Sequence, residues 1–338
     1  MTLNEIWFII IAVLFIGFFF LEGFDFGVGM STRLIARNTK ERDQLINTIG
    51  PFWDANEVWL ITAGGAIFAA FPHWYATMFS GYYIPFVFFL LALIARGVGI
   101  EYSHHAISDK ARNIWHLLIF IGSVLAPFLL GVLFTSLLRG MPIDENMTMW
   151  ATFTDYVNIY SIVGGIAVVL LSLVHGLTFI GIRTEGAVHK RALSLLNKVY
   201  WALLVGLVIF AVLTYYNTDI FTVRPIATPV FLVGIALTAV LGFIFANKRK
   251  EGWAFIMTGI TFILTITMVF VGLFPRLMIS SIDPAFNLTI ENAASGQYTL
   301  SIMTKIAFTL LPFIIGNQIW SYYVFRKRIS DKDTVNYE

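Results

Sequence analysis

Nine apolar runs divide this chain, and most are close to the roughly 20 residues a helix needs to cross a bilayer. They fall at 6–28, 58–71, 82–100, 114–138, 157–182, 199–216, 229–246, 253–274 and 302–325. The pattern predicts an all-α polytopic membrane protein with nine transmembrane helices. The second run is short. It reaches spanning length only if its helix starts near Trp53, which puts Asp54 and Glu57 in its first turns. Composition agrees, since only 12% of the 338 residues are charged, against roughly 25% in an average soluble domain. Mean hydropathy is +0.80. A soluble globular chain and a disordered one are both excluded. A net charge of +2 leaves no basic footprint for nucleic acid. The absence of Cys excludes disulfides, zinc thiolates and cysteine-held iron–sulfur clusters.

The segments between the runs alternate in charge. One set holds Arg33, Arg37, Lys40 and Arg42, then Lys110 and Arg112, then Arg183, Lys190, Arg191 and Lys198, then Lys248, Arg249 and Lys250. The tail adds Arg326, Lys327, Arg328 and Lys332. The other set holds only Arg139, Arg224, Arg276 and Lys305. The imbalance, 17 against four, places the first set in the cytoplasm, with the N-terminus outside and the C-terminus inside. The first run has no basic region before it and no small-residue cleavage site, so it reads as a span rather than a signal peptide.

No separable soluble domain is expected in 1–338; the longest polar stretch, 280–298, shows no catalytic pattern. A weak internal echo links Leu21-Glu22-Gly23-Phe24-Asp25-Phe26 to Val174-His175-Gly176-Leu177-Thr178-Phe179, and Asn56-Glu57-Val58-Trp59 to Asn197-Lys198-Val199-Tyr200. It reads either as chance similarity among apolar helices or as two like-oriented four-helix units, 1–138 and 157–274, with 302–325 as a peripheral ninth helix.

Ionisable side chains inside spans are costly, roughly 2.5–3.5 kcal/mol for a central Asp, and so point to function more often than elsewhere. Glu22 and Asp25 are three apart on one face of the first helix, beside a Gly23/Gly27 spacing that lets a neighbour approach closely. Asp54 and Glu57 open the second helix, Glu101 ends the third, and His175 lies near the same end of the fifth. All fall toward the cytoplasmic side. One reading is a hydrated proton-entry path; the other is interfacial groups and helix caps, with Asp54 as a dipole partner at a helix start. Arg96 and Glu101 are five apart, a poor same-face pair, so Arg96 needs partners elsewhere. His104 and His105 are either proton antennae or ordinary loop histidines. Trp53 and Trp59 are interleaved with these acids and precede a Gly64-Gly65 pair that invites tight packing. Trp7, Trp74, Trp115, Trp150, Trp253 and Trp320 read as an aromatic belt. Of six His, only His175 is clearly inside a span. No H-x-x-x-H pattern occurs, so neither haem nor metal is expected to be ligated by this chain. Phosphate-loop, dinucleotide and nucleophile-elbow motifs are also absent.

Two stretches carry a resemblance. Leu21-Glu22-Gly23-Phe24-Asp25-Phe26-Gly27-Val28-Gly29 and Gly50-Pro51-Phe52-Trp53-Asp54-Ala55-Asn56-Glu57-Val58-Trp59-Leu60, continued through Phe71-Pro72 and by Arg96-Gly97-Val98-Gly99-Ile100-Glu101-Tyr102, resemble the signature segments of subunit II of cytochrome bd-type quinol oxidases. The resemblance implies a partner, subunit I, that carries haems b558, b595 and d (or b-type haems only) and the quinol site. Quinol would be oxidised toward the outside, and dioxygen reduced to water with protons drawn from the cytoplasm. Subunit II would support haem assembly and line a proton route. The matching route residues are Asp54, Glu101 and His105; the last two stand where better-known relatives have Asp and Lys. Asp25 matches a pathway or structural position, and Glu22, Trp53, Glu57, Trp59 and Arg96 supporting ones. The resemblance also implies membrane lipid, a structural quinone and room for a small third subunit, in a multi-pass protein of a bacterial or archaeal cytoplasmic membrane. The rival readings are a proton-coupled secondary transporter and a scaffold subunit with no proton route.

Overall fold

The computed structural model describes residues 1–330; Lys332, counted above with the basic tail, lies outside the described residues. In chain order the helices are α1 (Leu3–Leu34), α2 (Thr39–Ile49), α3 (Trp53–Ala70), α4 (Pro72–Gly81), α5 (Tyr83–Tyr102), α6 (Asp109–Arg139), α7 (Phe153–Tyr156), α8 (Ile159–Arg183), α9 (Gly186–Asn217), α10 (Ile220–Val223), α11 (Ala227–Asn247), α12 (Glu251–Leu273) and α13 (Gln297–Val324). A small antiparallel pair, β1 (Arg276–Met278) and β2 (Leu288–Thr289), lies between α12 and α13.

Among the described residues eight helices, α1, α5, α6, α8, α9, α11, α12 and α13, are long and apolar enough to cross a membrane. The second expected span is α3, a helix of 18 residues that lies outside those eight because Asp54, Asn56 and Glu57 dilute its first turns. Several helices outrun the apolar runs, since hydropathy marks the lipid-facing length and capping marks the true end. Thus α6 starts at Asp109, where the Ser108 side chain accepts from the Ala111 amide. Likewise α9 runs back to Gly186, so Lys190, Arg191 and Lys198 are helical and Val188, Ala192 and Leu196 are buried at four-residue spacing. Pro72, free of any intrahelical donor duty at the first position, opens α4, with His73 in its first turn.

The central helix is α1, closed at its start by a reciprocal Thr2–Glu5 capping box. It packs against α2, α3, α6, α8, α12 and α13. Lipid tails are as apolar as side chains, so association rests on close packing rather than on water exclusion. Phenylalanine supplies much of that packing: Phe15 and Phe19 meet Phe134 edge-to-face at 5.2 and 5.6 Å between centroids. Glycine supplies the rest. A Cβ on Gly27 would sit 2.1 Å from the Ser172 carbonyl oxygen and 2.7 Å from the Gly176 Cα, so α1 and α8 cross backbone to backbone. Gly23, its partner in the sequence motif, instead faces the Phe262 ring. The tight packing expected of Gly64-Gly65 is absent: nothing lies within 4 Å of a Cβ at either. Both open onto a groove of about 620 Å³.

The least embedded of the eight long apolar helices is α13, with Leu300 its one buried residue. It is pinned near its start by the Trp7 indole, which donates to Thr304 Oγ1 at 3.0 Å, and by Gln297, which donates to Asn4 Oδ1 at 2.9 Å.

Candidate functional site

Three helices bring charge into the interior. On α1, Glu22 and Asp25 share a face by their three-residue spacing. On α5, Arg96 points at that face, and its Nη1 donates to Glu22 Oε1. Glu57, on α3, places Oε2 3.8 Å from the same nitrogen. The guanidinium carbon lies 4.9 Å from the Phe26 ring centroid, a cation–π contact. Glu22, Asp25 and Arg96 are fully buried, and Glu57 is 18% exposed at its side chain. Arg96 thus finds its partner on another helix and not in Glu101. Three carboxyls around one guanidinium form a set able to take up and release protons.

A second layer of neutral polar groups joins this set. Asn56, buried on α3, donates from Nδ2 to Asp25 Oδ2 at 2.7 Å. Its Oδ1 accepts from Gln318 Nε2 at 2.7 Å and from the Tyr322 hydroxyl at 2.8 Å, both on α13. The two tryptophans seat α3 beside the acids. The Trp59 ring lies over Gly17 of α1, where a Cβ would be 2.3 Å from Cε3, and the Trp53 ring lies over Gly97 of α5.

The residues expected to carry a proton route divide. The structure gathers Asp25, Glu22, Glu57 and Arg96. Asp54 is exposed in the first turn of α3, and its Oδ1 accepts from the Ala55 amide at 2.7 Å. Glu101 and His105 are exposed at the end of α5 and in the turn after it. Among the described residues, none of these three side chains is hydrogen-bonded or ion-paired to the buried set. Burial holds the His104 imidazole below the usual histidine range. Asn56, Gln318 and Tyr322 were not singled out in sequence; the signal for the last two is an amide and a phenol four apart inside an apolar run. Also missed was a contact between α6 and α2, where buried His116 places Nε2 3.5 Å from Oδ1 of the half-buried Asp43.

His175, the one histidine deep in a span, is committed elsewhere. Nε2 donates to the Phe20 carbonyl oxygen at 3.1 Å, and Nδ1 is 2.7 Å from Thr258 Oγ1. Phe255 stacks on the ring at 4.5 Å, almost parallel. With both ring nitrogens engaged and a phenyl face against it, His175 does not fit an axial haem ligand. Among the described residues no cluster of three or more His, Cys, Asp or Glu gathers to hold a metal ion.

This geometry defines a polytopic helical membrane protein with a group of buried acids and their partners in its interior. The family model for cytochrome bd terminal oxidase subunit II matches residues 3–325. The chain is 54% identical to cytochrome bd ubiquinol oxidase subunit 2 of Bacillus subtilis (strain 168), over 99% of each chain. It is 34% identical to cytochrome bd-I ubiquinol oxidase subunit 2 of Escherichia coli (strain K12), covering 98% of this chain and 96% of that one. The solved bd oxidase from Geobacillus thermodenitrificans superposes with a TM-score of 0.76 over 96% of this chain and 99% of its own, at 18% identity, so there the fold is what is shared. The chain belongs to the cytochrome bd terminal oxidase subunit II family. It is a multi-pass membrane subunit of an oxygen-reducing respiratory quinol oxidase.

Proposed function

We propose that this chain lines a cytoplasmic proton-uptake path for dioxygen reduction in a haem-bearing subunit I, and supports haem assembly there. In this reading α3 is a ninth span, the N-terminus is outside, and 1–138 and 157–274 are like-oriented units joined across α1, α6 and α8, with 302–325 peripheral. Reducing dioxygen to water consumes a proton for each electron, so a non-haem subunit contributes by delivering protons through apolar surroundings. The buried set of Glu22, Asp25, Glu57 and Arg96 carries the reading, because side chains this costly to bury persist where they serve. Asp54, Glu101 and His105 are its exposed entry groups. Asp54 stands one helical turn before Glu57 on α3, close enough to pass a proton inward through water.

The electrons and the oxygen chemistry belong to the partner's haems; this chain's residues hold and move protons. Quinol, dioxygen, membrane lipid and a small third subunit complete the assembly. The groove between α3, α4, α5 and α6, walled by Phe15, Leu60, Phe68, Tyr75 and Leu133, supports an isoprenoid quinone held as structural lipid.

Asp54→Asn removes the entry carboxyl at an exposed position and leaves packing intact. The assembled complex should keep its haem absorbance and consume oxygen on the order of tenfold more slowly, a change of about 1.4 kcal/mol in the barrier. Wild-type turnover in an assembled Asp54→Asn complex removes Asp54 from the path.

A further inference from the structure

The outermost helix reaches the innermost acid. With one buried residue, α13 has little apolar area holding it to the body, yet Gln318 and Tyr322, four apart and so on one face, both direct donors at Asn56 Oδ1. A carbonyl oxygen has two lone pairs, and both are taken. The amide is therefore fixed with its NH2 toward Asp25 Oδ2. Tyr322 is itself held: its ring packs on Phe52 at 4.5 Å between centroids and on Phe24 at 6.3 Å. Without the two donors, Oδ1 would be buried and unpaired, and the amide could turn and face oxygen to oxygen with the carboxyl. A buried polar group in that position is costly.

We propose that Gln318 and Tyr322 are positioning residues for Asp25, holding Asn56 so that α13 sets which face of an amide the acid meets. The consequence for turnover rests on the proton-path reading above; the placement of the donor does not.

The test uses the whole oxidase complex and infrared difference spectra of its carboxyl groups, with the Asp25 band assigned by its loss in Asp25→Asn. In Gln318→Leu/Tyr322→Phe that band should shift, and oxygen consumption should slow several-fold. Tyr322→Phe alone keeps the ring on Phe52, gives a smaller shift, and serves where the double variant does not accumulate. Trp7→Phe loosens the other end of α13 and should leave the band in place. An unshifted band in the Gln318 and Tyr322 variants, or an equal shift in Trp7→Phe, overturns the proposal. A shifted band with full turnover in Asp25→Asn upholds the positioning and overturns the path.

Discussion

Arg96→Met should leave the membrane nearly empty of assembled complex. The substitution keeps much of the side-chain length and removes the guanidinium that faces Glu22, Glu57 and Asp25. Glu22 and Asp25 are wholly buried, and α6 presses close behind Arg96: a Cβ on Gly122 would be 2.4 Å from the Ala92 carbonyl oxygen and 2.8 Å from the Arg96 Cβ. Met would therefore leave these buried carboxyls without their cationic partner. Breaking a buried pair from one side costs about 3–5 kcal/mol, a large share of the roughly 5–15 kcal/mol that holds a typical protein folded. Two further variants separate lost charge balance from lost packing. Glu22→Gln with Arg96→Met removes the stranded carboxylate and should recover more complex than Arg96→Met alone. Arg96→Lys should fall between, because a shorter side chain with a compact ammonium keeps the charge but loses the planar guanidinium that lies on Phe26 while Nη1 meets Glu22 and Glu57. The measurement is the amount of intact complex and its haem absorbance in solubilised membranes. Wild-type accumulation of Arg96→Met, or a double variant no better than the single, would show that the pair does not hold the helices together.

Why Arg96 needs Glu22 was not legible in sequence, although each residue was. A bilayer enforces helices, so length and hydropathy alone marked eight spanning helices and the position of α3. Helix ends outside the apolar runs, as at Ser108 and Gly186, answer to caps and to burial of one face, which hydropathy averages away. Partnering is a tertiary property: Glu22 and Arg96 are 74 residues apart, and nothing local tells α5 that its arginine will face α1. The first turns of α3 show the same limit at shorter range. Asp54 and Asn56 are about 200° apart around a helix of 3.6 residues per turn; one faces out and the other inward to Asp25 and α13. Attention to charge selected Asp54 and passed over Asn56, a neutral side chain with three partners. Glycine spacing was similarly ambiguous. Gly27 proved to be a crossing point, while Gly64 and Gly65 face open space, since a glycine is needed for close approach but does not by itself cause one.

That difference among glycines makes a graded prediction. At Gly27 the three nearest atoms a Cβ would meet are backbone: the Ser172 oxygen at 2.1 Å, and the Gly176 Cα and nitrogen at 2.7 and 2.8 Å. The clash is reciprocal, with a Cβ on Gly176 falling 2.4 Å from the Gly27 Cα. Backbone cannot rotate aside as a side chain can, so even Gly27→Ala must push α1 and α8 apart. Since α1 also contacts α3, α6 and α12, the displacement spreads through the core and moves Glu22 and Asp25, five and two residues away, relative to Arg96 and Asn56. Overpacking costs about 1–3 kcal/mol, occasionally more, and this position should lie at or beyond the upper end. At Gly23 the first atom met is the Phe262 ring at 2.9 Å, so Gly23→Ala should cost less, the ring taking up the strain. At Gly252 nothing lies within 4 Å, and Gly252→Ala should behave as wild type. Thermal loss of haem absorbance from the purified complex should therefore rank Gly27→Ala as least stable, then Gly23→Ala, then Gly252→Ala. If Gly27→Ala matched Gly252→Ala, α1 and α8 would not meet backbone to backbone, and the close approach that brings His175 level with the acids of α1 would be lost with it.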